Sequence, residues 1–150
     1  MAQAIQRATS TEAVIETRIE TKAAETSSSA HQAYQVLHFG FTVAPIVAGL
    51  DKFFHLLVNW DQYLPPFVNH LTGGRGHELM LLVGVIEIVA GLGVWFKPKL
   101  FAYVVMAWLV LIIVNLLLIP GYFDVALRDF GLALGALALG RLSQEYSNAG

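Results

Sequence analysis

Glu87 stands near the middle of HELMLLVGVIEIVAGLGVWF, residues 77–96, in which the only other ionisable side chains are the leading His77 and Glu78. A carboxyl group so placed can bind a ligand, carry a proton or pair with a cation. Left charged and alone in a bilayer it costs several kcal/mol. Two cations are candidates for its partner, Lys52 in VAGLDKFFHLL and Arg128 in ALRDFGLAL. Near them in the chain lie Asp51 and His55, which share a helical face at a spacing of four, then Asn115, Asp124 and Asp129.

Metal and heme chemistry would fall to the histidines. His55 and His77, with Glu78, are of metal-ligating types, but two histidines on neighbouring segments make a weak signature and no metal is assigned. His38 and His55 lie about 25 Å apart along one helix at 1.5 Å per residue, so they cannot grip one heme. The absence of cysteine removes disulfides and thiolate sites. No nucleophile stands beside a base, and the glycine runs GLGVW and GLALGALALG lack the Lys-Ser/Thr of a phosphate loop. Turnover by this chain alone is not indicated.

The elements that must position these groups are very apolar. Of 150 residues, 56% are hydrophobic and 13% charged, and the mean hydropathy is +0.60. Soluble domains carry about a quarter charged residues, and a spanning helix needs about 20 apolar ones. An integral membrane protein is expected, with the lipid bilayer as its first partner. A net charge of −2 with scattered basic residues argues against nucleic acid.

Four apolar segments, 33–58, 76–96, 99–119 and 123–142, have spanning length, and in lipid only helices satisfy the backbone of such runs. The expected fold is all-α, a transmembrane four-helix bundle over residues 33–142. Residues 1–32 read as a polar, disordered tail whose middle could form a solvated helix ending at Ser27-Ser28-Ser29, and 143–150 as a short C-terminal tail. Nothing in the first segment reads as a secretory signal. The loop NWDQYLPPFVNHLTGGR joins the first two spans. KPK and PGY join the others and make neighbouring helices antiparallel.

Four spans put both termini on one side, which holds six of the nine Lys and Arg residues: Arg7, Arg18, Lys22, Lys97, Lys99 and Arg141. The termini are therefore expected in the cytoplasm, with the protein in a bacterial inner membrane and the loop carrying Trp60, Tyr63 and Pro65-Pro66 facing outward. Counting depth along each helix places Asp51, Lys52, His55, Glu87, Asn115, Arg128 and Asp129 from the midplane outward, with His77, Glu78 and Asp124 at the rim. Gly49 with Lys52, Gly84 with Glu87 and Gly91, and Arg128 with Gly131 and Gly135 share small-residue stripes that let helices approach. The expectation is a bundle closed on its inner side and opening outward into a polar pocket, with Lys52 or Arg128 as counter-ion to Glu87. Asp124 reads as an interfacial helix cap and Asn115 as a hydrogen bond between helices.

VAGLDKFFHLL, the proline-bearing loop, GVIEIVAGLGVWFKPK and RDFGLALGALALGRL together resemble the DoxX-like family of small four-helix membrane proteins over residues 34–142. The best marks are G-x-x-K from Gly49 to Lys52 and G-x-x-E-x-x-x-G from Gly84 to Gly91. The resemblance implies an accessory or assembly subunit of a membrane redox complex, in contact with quinone and with other membrane subunits or further copies of itself. Lys52 and Glu87 are the family-like positions, whereas His38, His55 and His77 fall outside the pattern. The rival readings are a small-solute or proton-coupled permease, resting on Glu87 at mid-depth, and a purely structural scaffold. A permease needs access from both sides, and only His38, Thr42 and Pro45 interrupt the inner half.

Overall fold

Proline removes one intrahelical hydrogen bond from a helix interior, as Pro45 does within the first long helix, but suits the first helical turn. Helix α3 (Gly76–Phe96) accordingly stops short of Pro98, and α4 (Pro98–Leu117) begins on it, with Lys97 alone between them. The Lys97 N–H closes α3 on the Gly93 carbonyl, and its own carbonyl accepts the Leu100 and Phe101 N–H groups of α4. The protein is known here as a computed structural model that describes residues 2–146, with side chains from residue 13 onward. Its other elements are α1 (Ala2–Phe54), a 3-10 helix (Trp60–Tyr63), α2 (Pro66–Leu71) and α5 (Phe123–Tyr146). All regular structure among the described residues is helical. Gly121 makes the α4–α5 corner at φ 99, a conformation that favours glycine.

Three helical stretches are long and apolar enough to cross a membrane: Ala13–Phe54, Gly76–Phe96 and Pro98–Leu117. They mark an integral membrane protein, and their packing is inverted relative to a soluble one. Leu82, Val85, Val89 and Leu92 of α3 and Leu111, Val114 and Leu117 of α4 are exposed, whereas α3 buries Gly84, Glu87, Ala90 and Gly91. Such a surface suits lipid, because a helix in water turns its apolar stripe inward.

Small residues set the helix spacing. A Cβ on Gly49 would lie 2.5 Å from the Gly84 carbonyl oxygen, and one on Gly84 would lie 2.7 Å from that of Gly49. Lower on the same seam a Cβ on Gly91 would meet the Thr42 carbonyl at 2.7 Å. Backbones of α1 and α3 therefore touch, as small-residue seams in membranes allow. The apolar core toward the Lys97 corner is built from Tyr34, Ala90, Val94, Ala102, Val105, Ala136 and Leu139. On α5, Gly140 faces the Tyr103 ring of α4.

The chain divides into two units, Met1–Ala33 and Tyr34–Gly150. The disordered tail expected over residues 1–32 is corrected: its described residues are helical and Ser27-Ser28-Ser29 do not end the helix. The segment lacks glycine and proline and is rich in Ala, Glu and Gln, which lose little on entering a helix. Its hydroxyls fold back on the helix, Thr17 to the Ala13 carbonyl and Thr21 to the Thr17 carbonyl, each at 2.8 Å. The expected C-terminal tail is corrected too, because α5 continues through the buried Ser143 to Tyr146; residues 147–150 lie outside the described residues. Gly131, expected on a packing stripe, faces open space: a Cβ added there would meet nothing within 4 Å.

The glycine seam makes a direct prediction. Gly49→Val and Gly84→Val should each lower stability by about 1–3 kcal/mol through overpacking, read as thermal unfolding in detergent, while Gly131→Ala should leave it unchanged or slightly raised, alanine being the better helix former. Equal tolerance at all three positions would contradict the backbone contact.

Candidate functional site

Lys52 follows Gly49 by one helical turn, and Glu87 follows Gly84 by one turn, so the seam that joins the backbones also joins these side chains. Lys52 Nζ donates to Glu87 Oε2 at 2.5 Å and more weakly to the Ala48 carbonyl at 3.4 Å. Lys52 is 2% exposed and Glu87 9%. The face of Trp60, from the 3-10 helix, covers the ammonium at 3.8 Å from ring centroid to Nζ. A desolvated cation–π contact of this kind contributes about 2 kcal/mol.

Asp51 fixes that cover. One carboxylate oxygen accepts the Trp60 indole N–H at 2.7 Å, and the other accepts the Leu56 and Leu57 N–H groups at 2.9 Å each. These bonds end α1 at Phe54, four residues before the apolar run ends, and carry the chain through His55 at φ 52. His55 is the left-handed residue after the helix, its N–H returning to the Asp51 carbonyl at 2.7 Å. One buried carboxylate thus ends the helix and aims the tryptophan.

The other polar residues divide around this centre. Asp129 is buried near Glu87, but its partner is Arg128, at 3.1 Å, whose side chain is 67% exposed. Arg128 is therefore not the counter-ion of Glu87. Asn115 donates to the Tyr63 carbonyl at 2.9 Å and ties the loop to α4, and Tyr63 meets Tyr122 edge-on at 5.1 Å. Asp124 is exposed in the first turn of α5. Glu78 pairs with Arg75 at the surface, which raises the guanidinium pKa, so it is not drawn toward the histidines. His55 and His77 instead stack at 5.6 Å, with Asp61 at 3.1 Å from His77 Nδ1.

Three participants are not singled out by the sequence reading: Trp60 as the cover of Lys52, Asp61 beside His77, and Trp108. The indole N–H of Trp108 is buried and directed at the Glu87 carboxylate, outside regular hydrogen-bond geometry. Trp60 and Asp61 carry a local signal, since a 3-10 turn capped by Asn59 projects consecutive side chains in different directions. Trp108, in an uninterrupted apolar run, carries none. At the other end His38 Nε2 donates to the Val94 carbonyl, 2.9 Å away, between the rings of Tyr34 and Trp95.

Removing one member of a buried pair strands a charge at about 3–5 kcal/mol, while removing both can be nearly neutral. Lys52→Met and Glu87→Gln should each destabilise the protein, and the double variant should recover much of the loss, measured by thermal unfolding in lipid nanodiscs. Strictly additive losses would contradict a coupled pair.

Compared with known proteins, the chain matches no family model, no curated protein and no solved structure.

Proposed function

We propose that this chain is a DoxX-like membrane protein that serves as an accessory or assembly subunit of a quinone-linked redox complex. The observation that carries the reading is the buried Lys52–Glu87 pair under Trp60, with the buried indole N–H of Trp108 beside it. A quinone headgroup offers carbonyl acceptors and a flat ring. An ammonium and an indole N–H are donors for the first, and an indole face suits the second.

In this reading α5 is the fourth span of a bundle with both termini in the cytoplasm of a bacterial inner membrane, and the loop holding Trp60 faces outward. The excess of Lys and Arg on the side of the termini supports that orientation. An accessory role is favoured over a permease because the buried positions toward the Lys97 corner are mostly small or apolar, and the ring of His38 is already engaged by the Val94 carbonyl. The helical N-terminal unit, with Val14, Ile15 and Ile19 exposed among charges, suits contact with a partner subunit.

Purification in mild detergent should recover membrane redox subunits and a lipid-soluble quinone in fixed proportion with the chain, and Lys52→Met should lose the quinone. Recovery of the chain free of both would sink the reading. For the orientation, a cysteine at Gln62 should react with an impermeant thiol reagent in whole cells and one at Ser28 should not; the opposite pattern would invert the topology.

A further inference from the structure

Three elements meet where α1 ends and α3 begins. His55 is the residue after α1, Asp61 sits in the 3-10 helix, and His77 is in the first turn of α3. One ring nitrogen from each histidine and one Asp61 carboxylate oxygen lie within 4.8 Å of one another. We propose that His55, Asp61 and His77 form a binding site for a divalent transition-metal ion of the zinc class, at the loop end of the helices.

The chemistry of the set fits. Two imidazoles and one carboxylate are a ligand combination that zinc and its neighbours accept, leaving at least one position for water or an anionic ligand. Bonds of about 2.0–2.2 Å place ligand atoms about 3.3 Å apart around a tetrahedral ion. Both histidines are exposed, so their rings have room to turn as the ligand atoms contract from the present spread. A soft or large hard cation is a poorer fit, since cysteine is absent and oxygen donors are few.

The backbone beneath the three residues is held in place. His55 is the sole non-glycine residue with positive φ among the described residues, at a position where glycine is commonest. A left-handed conformation is disfavoured for a non-glycine residue, and here Asp51 enforces it by accepting the next two N–H groups. Asp61 is held from two sides: its N–H donates to the Asn59 side chain at 3.2 Å, and its carbonyl accepts the Leu64 N–H at 3.2 Å. The competing carboxylate, Glu78, is occupied by Arg75. The histidine rings already stack face to face at an interplanar angle of 23°, and His77 already hydrogen-bonds Asp61. This site is separate from the Lys52–Glu87 pair, although Trp60 and Asp61 are consecutive, and it stands whether or not the chain serves a redox complex.

Zinc binding to tag-free protein in detergent, measured by competition with a chromophoric chelator, tests the proposal, with cobalt(II) as a spectroscopic probe of the nitrogen and oxygen ligands. One ion should bind per chain. His55→Asn, which tolerates the left-handed backbone, Asp61→Asn and His77→Gln should each weaken binding at least tenfold and erase the cobalt spectrum. His70→Gln, at an exposed histidine outside the cluster, should bind as the parent does. Thermal unfolding without metal should be the same for all four variants; for any variant that unfolds, His55→Gln or His77→Asn takes its place. No stoichiometric binding by the parent, or binding that survives His55→Asn and His77→Gln, would overturn the site.

Discussion

An ammonium and a carboxylate can stay together in a membrane interior only if each finds the other before either is left dry, and the contact between Lys52 and Glu87 depends on two backbones meeting at Gly49 and Gly84. Any larger residue at the seam would push α1 and α3 apart and lengthen the ion pair. The desolvation of two charges costs several kcal/mol, and a short, enclosed contact is needed to offset it. Close packing and electrostatics are therefore one device: the glycines set the distance, and the distance allows the charges.

From this contact the rest of the loop end follows. Trp60 can cover Lys52 only because Asp51 holds its indole N–H, and Asp51 can do so only because α1 ends within a turn of it. The same bonds place His55, while the turn that presents Trp60 presents Asp61. Asn115 and Tyr122 brace the loop from α4 and the α4–α5 corner. Toward the Lys97 corner the packing changes character, with Val94, Ala102, Ala136 and Leu139 buried and no carboxylate among the core residues. Among the described residues the buried carboxylates lie toward the loop end, and the Lys97 end adds only His38, Thr42 and Ser143 to its apolar packing.

Much of this was legible in the residues, for physical reasons. The bounds of α3 were readable because an apolar run between Gly76 and Lys97-Pro98 has only one helical solution, and the G-x-x-K and G-x-x-E spacings put Lys52 and Glu87 one turn from small residues on facing helices. The choice between Lys52 and Arg128 was not readable, since it depends on how α5 is rotated, and rotation turns Arg128 outward to Asp129. Sequence also favoured Glu78 over Asp61 as the companion of the histidines because it adjoins His77. The ion pair with Arg75 and the fold of a 3-10 turn reverse that preference. Polarity misled in the N-terminal segment, where composition too polar for a core was still well suited to a helix.

The whole arrangement depends on direct contact between Lys52 and Glu87 inside the membrane-embedded protein. Magic-angle-spinning NMR in lipid bilayers, with dipolar recoupling between the lysine ammonium nitrogen and glutamate carboxyl carbons, reads that contact without altering it. One strong lysine–glutamate coupling is expected, and it should disappear in both Lys52→Met and Glu87→Gln. No such coupling in the parent protein, or one that persists in either variant, would contradict the contact.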